Sequence, residues 1–151
     1  MIELDGVKNK PKDPTMCLAV DLEKLTSNED FSDVEIHCKD TRLKCHKAIL
    51  SARSSVFQAM FTNPCKESQT GIVNINNIEP EVLKDLINFI YSCKVKKLKE
   101  NVADLFIAAD MYMMESLKDM CTTYIFHAVP RNARKKKILQ VFSLVKCSTF
   151  L

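Results

Sequence analysis

The chain has 151 residues, with 22 lysines and arginines against 19 aspartates and glutamates, 46% hydrophobic content, seven cysteines, no tryptophan and two glycines. That is the size and balance of one globular domain, since a chain of about 150 residues hides roughly two thirds of its unfolded surface without help from disulfides or metal. With glycine confined to Gly6 and Gly71, the dinucleotide fingerprint, the P-loop and the nucleophile elbow are excluded, because each needs neighbouring glycines. The cysteines, at 17, 38, 45, 65, 93, 121 and 147, are odd in number and widely spread. They suit reduced thiols inside a cell better than a secreted disulfide framework. Met1-Ile2-Glu3-Leu4-Asp5 carries acids where a signal peptide carries positive charge, and no run of about 18 apolar residues follows. Neither secretion nor a membrane span is expected.

Residues 1–16 have no apolar period and include Pro11 and Pro14, so a flexible lead-in is expected there, with order from Cys17. Leu18, Leu22 and Leu25 then recur at helical spacing and make one apolar stripe. It packs either on its own domain or, as an arm, on a partner chain. Val34, Ile36 and Cys38 alternate with polar neighbours, and after Lys39-Asp40-Thr41 the alternation returns at Leu43 and Cys45. These two runs predict an antiparallel hairpin. Ile49, Leu50, Val56, Phe57, Met60 and Phe61 restore a helical period, predicting two short helices that meet at Ser54.

Asn63-Pro64 ends that pair, and a polar loop from Cys65 to Gly71 leads to a third strand at Ile72–Ile75. Pro80, between Glu79 and Glu81, starts a helix whose wide inner face holds Val82, Leu83, Leu86, Ile87, Phe89 and Ile90. After a lysine-rich connection from Lys94 to Lys99, Asn101 is expected to cap a helix over Val102–Tyr112. Another follows over Glu115–Ile125. The order predicts an α+β fold, a small three-stranded sheet with a cluster of helices.

Charge is unevenly placed. Residues 1–126 hold 16 basic and 19 acidic side chains, whereas residues 127–151 hold six basic and none acidic. Arg131, Arg134, Lys135, Lys136 and Lys137 read either as a nuclear address or polyanion contact, or as a solvated tail. The mildly acidic body argues against nucleic-acid binding. Beyond the cluster, Ile138, Leu139, Val141, Phe142, Leu144 and Val145 form an apolar stretch, sticky if exposed.

His37-Cys38 and Cys45-His46 put four metal-ligating types within ten residues, but strand neighbours point to opposite faces and no glycine is available for a knuckle. Core thiols and polar histidines are the preferred reading. No nucleophile, base or paired carboxylate stands at a spacing that indicates catalysis. No enzyme, cofactor, metal or small-molecule substrate is expected.

The run Phe31-Ser32-Asp33-Val34, then His46-Lys47-Ala48-Ile49-Leu50-Ser51-Ala52-Arg53-Ser54-Ser55-Val56-Phe57-Gln58-Ala59-Met60-Phe61, resembles a BTB/POZ domain. The likeness continues through Val73-Asn74-Ile75, Pro80-Glu81-Val82, Phe89-Ile90-Tyr91, Ala108-Ala109-Asp110-Met111-Tyr112 and Leu117-Lys118-Asp119-Met120-Cys121, covering residues 17–126. Within that family it is most similar to speckle-type POZ proteins, without their MATH domain. Residues 127–151 depart from the pattern and are set apart as a divergent tail.

The resemblance implies an intracellular homodimer, nuclear rather than cytoplasmic, that docks on the amino-terminal domain of cullin-3 as a ubiquitin-ligase adaptor. Pairing with other BTB chains is also implied. The dimerisation helix falls on Leu18, Leu22 and Leu25, facing Ile49, and the family's buried aspartate and H-K/R pair fall on Asp33, His46 and Lys47 near the same interface. Lys47, Arg53 or backbone N–H groups are expected to satisfy Asp33, because an unpaired buried carboxylate is costly. The family's hydrophobic-x-Glu cullin motif maps to Cys65-Lys66-Glu67, flanked by Phe61 and Tyr112. Cys65 replaces a larger apolar side chain, which weakens or abolishes the contact; the alternative is a dimerisation-only regulator that pairs with longer relatives. Cys93 replaces the glycine usual after Phe-Ile-Tyr-x, so a strained turn is expected if that position needs positive φ.

Overall fold

A computed structural model describes residues 14–64 and 66–128, together with Ala133, Lys135, Lys136 and Leu139, with backbone alone for Pro14, Thr15, Met16 and Lys66. The expectations for residues 1–13, for Cys65 and for the remainder of the tail lie outside the described residues. Among the described residues the chain forms α1 (Pro14–Lys24), β1 (Val34–Cys38), β2 (Thr41–Cys45), α2 (Lys47–Arg53) and α3 (Ser55–Thr62), then α4 (Lys66–Thr70), β3 (Ile72–Asn74), α5 (Pro80–Ser92), α6 (Leu98–Met111) and α7 (Glu115–Ala128). The class is α+β, with a three-stranded sheet among seven helices.

The hairpin forms because alternation lets one face of β1, that of Val34, Ile36 and Cys38, enter the core while Glu35 and His37 stay half-buried. β1 and β2 pair antiparallel from Val34 opposite Cys45 to Cys38 opposite Thr41, across the turn at Lys39-Asp40. β3 joins the other side of β1 in parallel, Ile36 facing Val73, so the order is β2-β1-β3. A parallel neighbour cannot be reached by a tight turn, and α2, α3 and α4 supply the crossover. Gly71 opens β3 at a φ of 67°, and a Cβ there would stand 3.2 Å from the Asp33 carbonyl oxygen. The Gly71 carbonyl accepts from the Glu35 N–H at 2.8 Å. Here glycine is required by both φ and space.

Ser54 separates α2 from α3 as expected, its Oγ accepting from the Phe57 N–H and donating to the Tyr112 carbonyl at 2.7 Å. It ties the helical pair to the end of α6. Pro80 occupies the first turn of α5, and the predicted inner face is buried throughout. With Ile36, Leu50, Phe57, Leu105 and Leu117 fully enclosed, each contributing about 1.5–3 kcal/mol, sheet and helices share one core.

Four details differ from the sequence reading. α1 begins at Pro14, before Cys17, because proline is tolerated in a first turn, where its missing N–H has no helical partner. The stretch read as a polar loop holds α4, closed by the Gly71 N–H on the Glu67 carbonyl at 3.0 Å; five residues are too few to show a period. Asn101 does not cap α6, which starts at Leu98 after Lys97. Instead its Nδ2 donates to the Asp85 carboxylate at 3.2 Å. Finally, α7 runs on to Ala128. The turn at Cys93 is as expected: the residue caps α5 in the left-handed region, φ 57° and ψ 20°.

Candidate functional site

The leucine stripe divides. α1 lies against α5, and Leu25, just past its end, packs on the core while Leu22 is half-buried. Leu18 is 61% exposed and Val20 is exposed beside it. One end of the stripe thus serves its own domain and the other stands open. Ile49 is half-buried against the core. Phe31 is 93% exposed and holds a φ of 62°, a large apolar side chain in water on a backbone conformation that aromatic residues rarely adopt.

Asp33 corrects the expectation of burial, being exposed in the single chain. Its Oδ1 accepts from the Lys47 N–H at 2.7 Å, so a backbone donor at the start of α2 satisfies it, where helix polarity favours a carboxylate. The Lys47 ammonium reaches the Ser68 carbonyl at 3.5 Å and lies over the Phe61 ring. Arg53 is exposed, donates to Cys93 Sγ at 3.3 Å and lies over the Phe89 ring. His46 is anchored by Tyr91, whose hydroxyl lies 3.0 Å from the His46 N and 2.8 Å from Nδ1. Sequence reasoning missed Tyr91 because an aromatic at the end of an apolar face looks like further core. Burial pushes the Tyr91 hydroxyl up and raises the Cys45 thiol to about 12.

A second surface is a shallow, mostly apolar groove lined by Ser55, Val56, Ala59, Met60 and Asn63 of α3 and its end, Glu67 of α4, and Met113. Met113 is 64% exposed at a φ of 52°, and its Sδ accepts from Ser55 Oγ at 3.3 Å. Glu67 of the expected motif lines this groove, while Cys65 and the Lys66 side chain lie outside the described atoms. Phe61 stacks on Phe57 with centroids 6.1 Å apart. Tyr112 is 5% exposed, stacked on the other side of Phe57 at 4.8 Å. These two rings back α3 from within, and the groove is faced by Met113 instead, whose exposure no periodicity announces because it sits in a turn.

The four candidate metal ligands do not converge. Cys38 donates to the Ile78 carbonyl inside the core, whereas His37 pairs with Glu35 at 2.7 Å on the half-buried face. No group of three or more histidine, cysteine, aspartate or glutamate side chains among the described residues could hold a metal ion. A cleft of about 350 Å³ lies between the loop after α1, β2 and α5, with a mixed polar and apolar lining. Within it Lys44 pairs with Glu29, and both Lys84 and Lys97 pair with Glu81. No helix of the described residues is long and apolar enough to cross a membrane.

Open apolar surfaces on an α+β core suit a module that binds other proteins. The BTB/POZ domain family model matches residues 22–128, and the chain belongs to that family. Among solved structures it is similar to the BTB domain of zebrafish PATZ1, with 25% sequence identity and a TM-score of 0.63 over 74% of this chain and 91% of that one. BTB domains are interaction modules rather than enzymes, and they generally dimerise.

Proposed function

We propose that the chain homodimerises through the open end of α1 and binds the amino-terminal domain of cullin-3 through the groove beside α3, as an adaptor-type component of a ubiquitin ligase. The observation that carries the reading is the pairing of two apolar surfaces left open on an otherwise closed core. Leu18, Val20 and Phe31 mark the first, and Met60 and Met113, with Glu67 at the rim, mark the second. Large apolar side chains exposed together favour a partner that removes them from water. Asp33, His46, Ile49 and Arg53 complete the dimer side in this reading, and Phe61, Cys65, Lys66 and Tyr112 support the cullin side. The narrower likeness to speckle-type POZ proteins rests on the quoted sequence segments alone. The same holds for the module boundaries at residues 17–126, for nuclear residence, which the basic cluster at 131–137 favours, and for pairing with other BTB chains.

A second reading is favoured by Cys65, which offers less apolar bulk than the side chain the motif calls for. In it the chain dimerises, caps longer relatives and does not engage cullin. Light scattering coupled to size exclusion, on the chain alone and mixed with a cullin-3 amino-terminal domain, separates the two. A dimer that shifts to a two-to-two complex supports the adaptor. A dimer that ignores cullin, yet gains affinity with Cys65→Met, supports the dimerisation-only regulator, and a monomer overturns both.

A further inference from the structure

We propose that the outer edge of β2 receives an extended acidic segment of a partner protein, added to the sheet as a fourth strand along the cleft between β2 and α5. The inference stands apart from the adaptor reading, since it uses neither the open end of α1 nor the groove beside α3.

β1 fixes which way the β2 backbone faces. The Glu35 N–H donates to the Gly71 carbonyl, and the His37 carbonyl accepts from the Ile75 N–H, both at 2.8 Å. Glu35 and His37 therefore turn their peptide groups toward β3 and away from β2. In an antiparallel ladder, residues opposite one another either exchange both backbone bonds or exchange none. Glu35 stands opposite Lys44 and His37 opposite Arg42, so these pairs exchange none, and Arg42 and Lys44 direct their N–H and C=O groups outward. β2 ends the strand order β2-β1-β3, and among the described residues no group outside the sheet meets those four. The free edge runs along the cleft, one wall of which is residues 42–45. Addition of an extended segment to such an edge draws its affinity from main-chain hydrogen bonds and its selectivity from the flanking side chains.

Charge selects the occupant. Of the charged side chains lining the cleft, five are basic and three acidic, an excess opposite in sign to that of residues 1–126 as a whole. Lys44, Lys84 and Lys97 already pair with Glu29 and Glu81, whereas Arg42 and Lys96 are exposed and form no ion pair among the described residues. Arg42 belongs to the β2 wall, and Lys96 is tied through its N–H to Asp85 of α5 on the other. Successive side chains of an added strand point to opposite faces, so a carboxylate on each face has a cation to meet. Charge on an edge ordinarily deters strand addition. Here it deters a second copy, whose own Arg42 and Lys44 would be brought against the same pair, and it admits an acidic strand.

The test uses the full ¹⁵N-labelled chain and a synthetic peptide of about eight residues, within the usual length of a strand, that alternates glutamate with threonine. Its counterpart with lysine in place of glutamate is the control. Amide hydrogen exchange at Arg42 and Lys44 is expected to slow about tenfold when the acidic peptide stands at ten times its Kd, while Leu43, whose N–H already faces β1, keeps its rate. Arg42→Gln/Lys96→Gln leaves the backbone edge in place and is expected to weaken binding about tenfold, the share of two exposed ion pairs. Added salt should weaken the parent's binding in the same direction. An acidic peptide that fails to bind, or that binds without slowing Arg42 and Lys44, overturns the proposal. Equal binding of the lysine peptide, or of the acidic peptide by the double variant, overturns the choice of an acidic occupant. Slow exchange at Arg42 and Lys44 in the chain alone, growing with protein concentration, overturns it in favour of a second copy. Cullin binding bears on none of these readouts.

Discussion

Tyr91 holds His46 at two points, through its backbone N–H at 3.0 Å and through ring Nδ1 at 2.8 Å. The His46 Nε2 lies 3.0 Å from the Asp30 carbonyl, which can only accept, so Nε2 carries the proton. In the neutral ring Nδ1 then accepts from the Tyr91 hydroxyl. The hydroxyl thus uses both its donor and its acceptor capacity at the start of α2, and it locks the loop before β1 to α5 through one imidazole.

Tyr91→Phe removes that hydroxyl while keeping the ring. It leaves the His46 N–H and Nδ1 without their partner, so a loss of about 1–3 kcal/mol is expected, read from a urea midpoint. A midpoint equal to the parent's would show that water replaces the hydroxyl at no cost.

Asp85 is 3% exposed and accepts from the Lys96 N–H and from Asn101, both at 3.2 Å. It fixes the lysine-rich connection against α5. Asp85→Ala strands those donors, with an expected loss of about 1–3 kcal/mol and faster amide exchange across residues 94–101. Protection unchanged there would mean that the connection holds itself.

Burial raises the Cys38 thiol and pushes the Cys45 and Cys121 thiols to about 12, whereas Cys17 and Cys93 are exposed. In native protein, alkylation followed by mass spectrometry should mark Cys17 and Cys93 first and reach the buried three only on unfolding. Burial also lifts Tyr112 to about 12. All four groups hold their protons more tightly folded than unfolded. The stability this protects is whole below the free thiol's value of about 8.5 and is lost as pH rises from there toward about 12. A urea midpoint no lower at about pH 10.5 than at about pH 8 would contradict the assignment.

Leu18 offers the cleanest probe of the dimer, because its side chain is largely in water in the single chain. Leu18→Asp should leave the monomer's fold intact, within about 0.5 kcal/mol, and yield a monomer by light scattering. Leu25→Asp, in contrast, should unfold the domain, since that side chain packs on the core. An unchanged mass for Leu18→Asp removes α1 from the interface.

Cys93 carries a local strain from its left-handed φ, offset in part by its N–H on the Phe89 carbonyl and by the Arg53 contact. Cys93→Gly should raise stability by up to about 1 kcal/mol, seen as a higher thermal midpoint. A lower midpoint would mean that the Arg53 and Cys93 contact outweighs the strain.

The sequence exposed what periodicity encodes. The alternation of Val34, Ile36 and Cys38, the inner face from Val82 to Ile90 and the serine between α2 and α3 each announce a burial pattern that local geometry then obeys. It hid what depends on distant partners. Nothing in the run from Lys66 to Thr70 marks a helix, and Asn101 looks like a cap until Asp85 is known to lie beside it. The same holds at the surfaces: Leu18 and Leu25 read alike in the stripe, and only α5 decides which of them is covered. Met113 and Tyr112 are neighbours in a turn, and chain direction alone sends one into the core and the other onto the groove.

The placement of β1 between an antiparallel and a parallel neighbour gives folding a sequence in time. The Lys39-Asp40 turn lets β1 and β2 zip locally, on the microsecond scale of a hairpin. β3 can dock only after α2, α3 and α4 have bridged the gap, a loop closure whose entropy must be met before Val73 finds Ile36. Until then the β1 edge stands unpaired, a template for any other strand. The three residues of β3 are thus the last stitch of the sheet, and its guard.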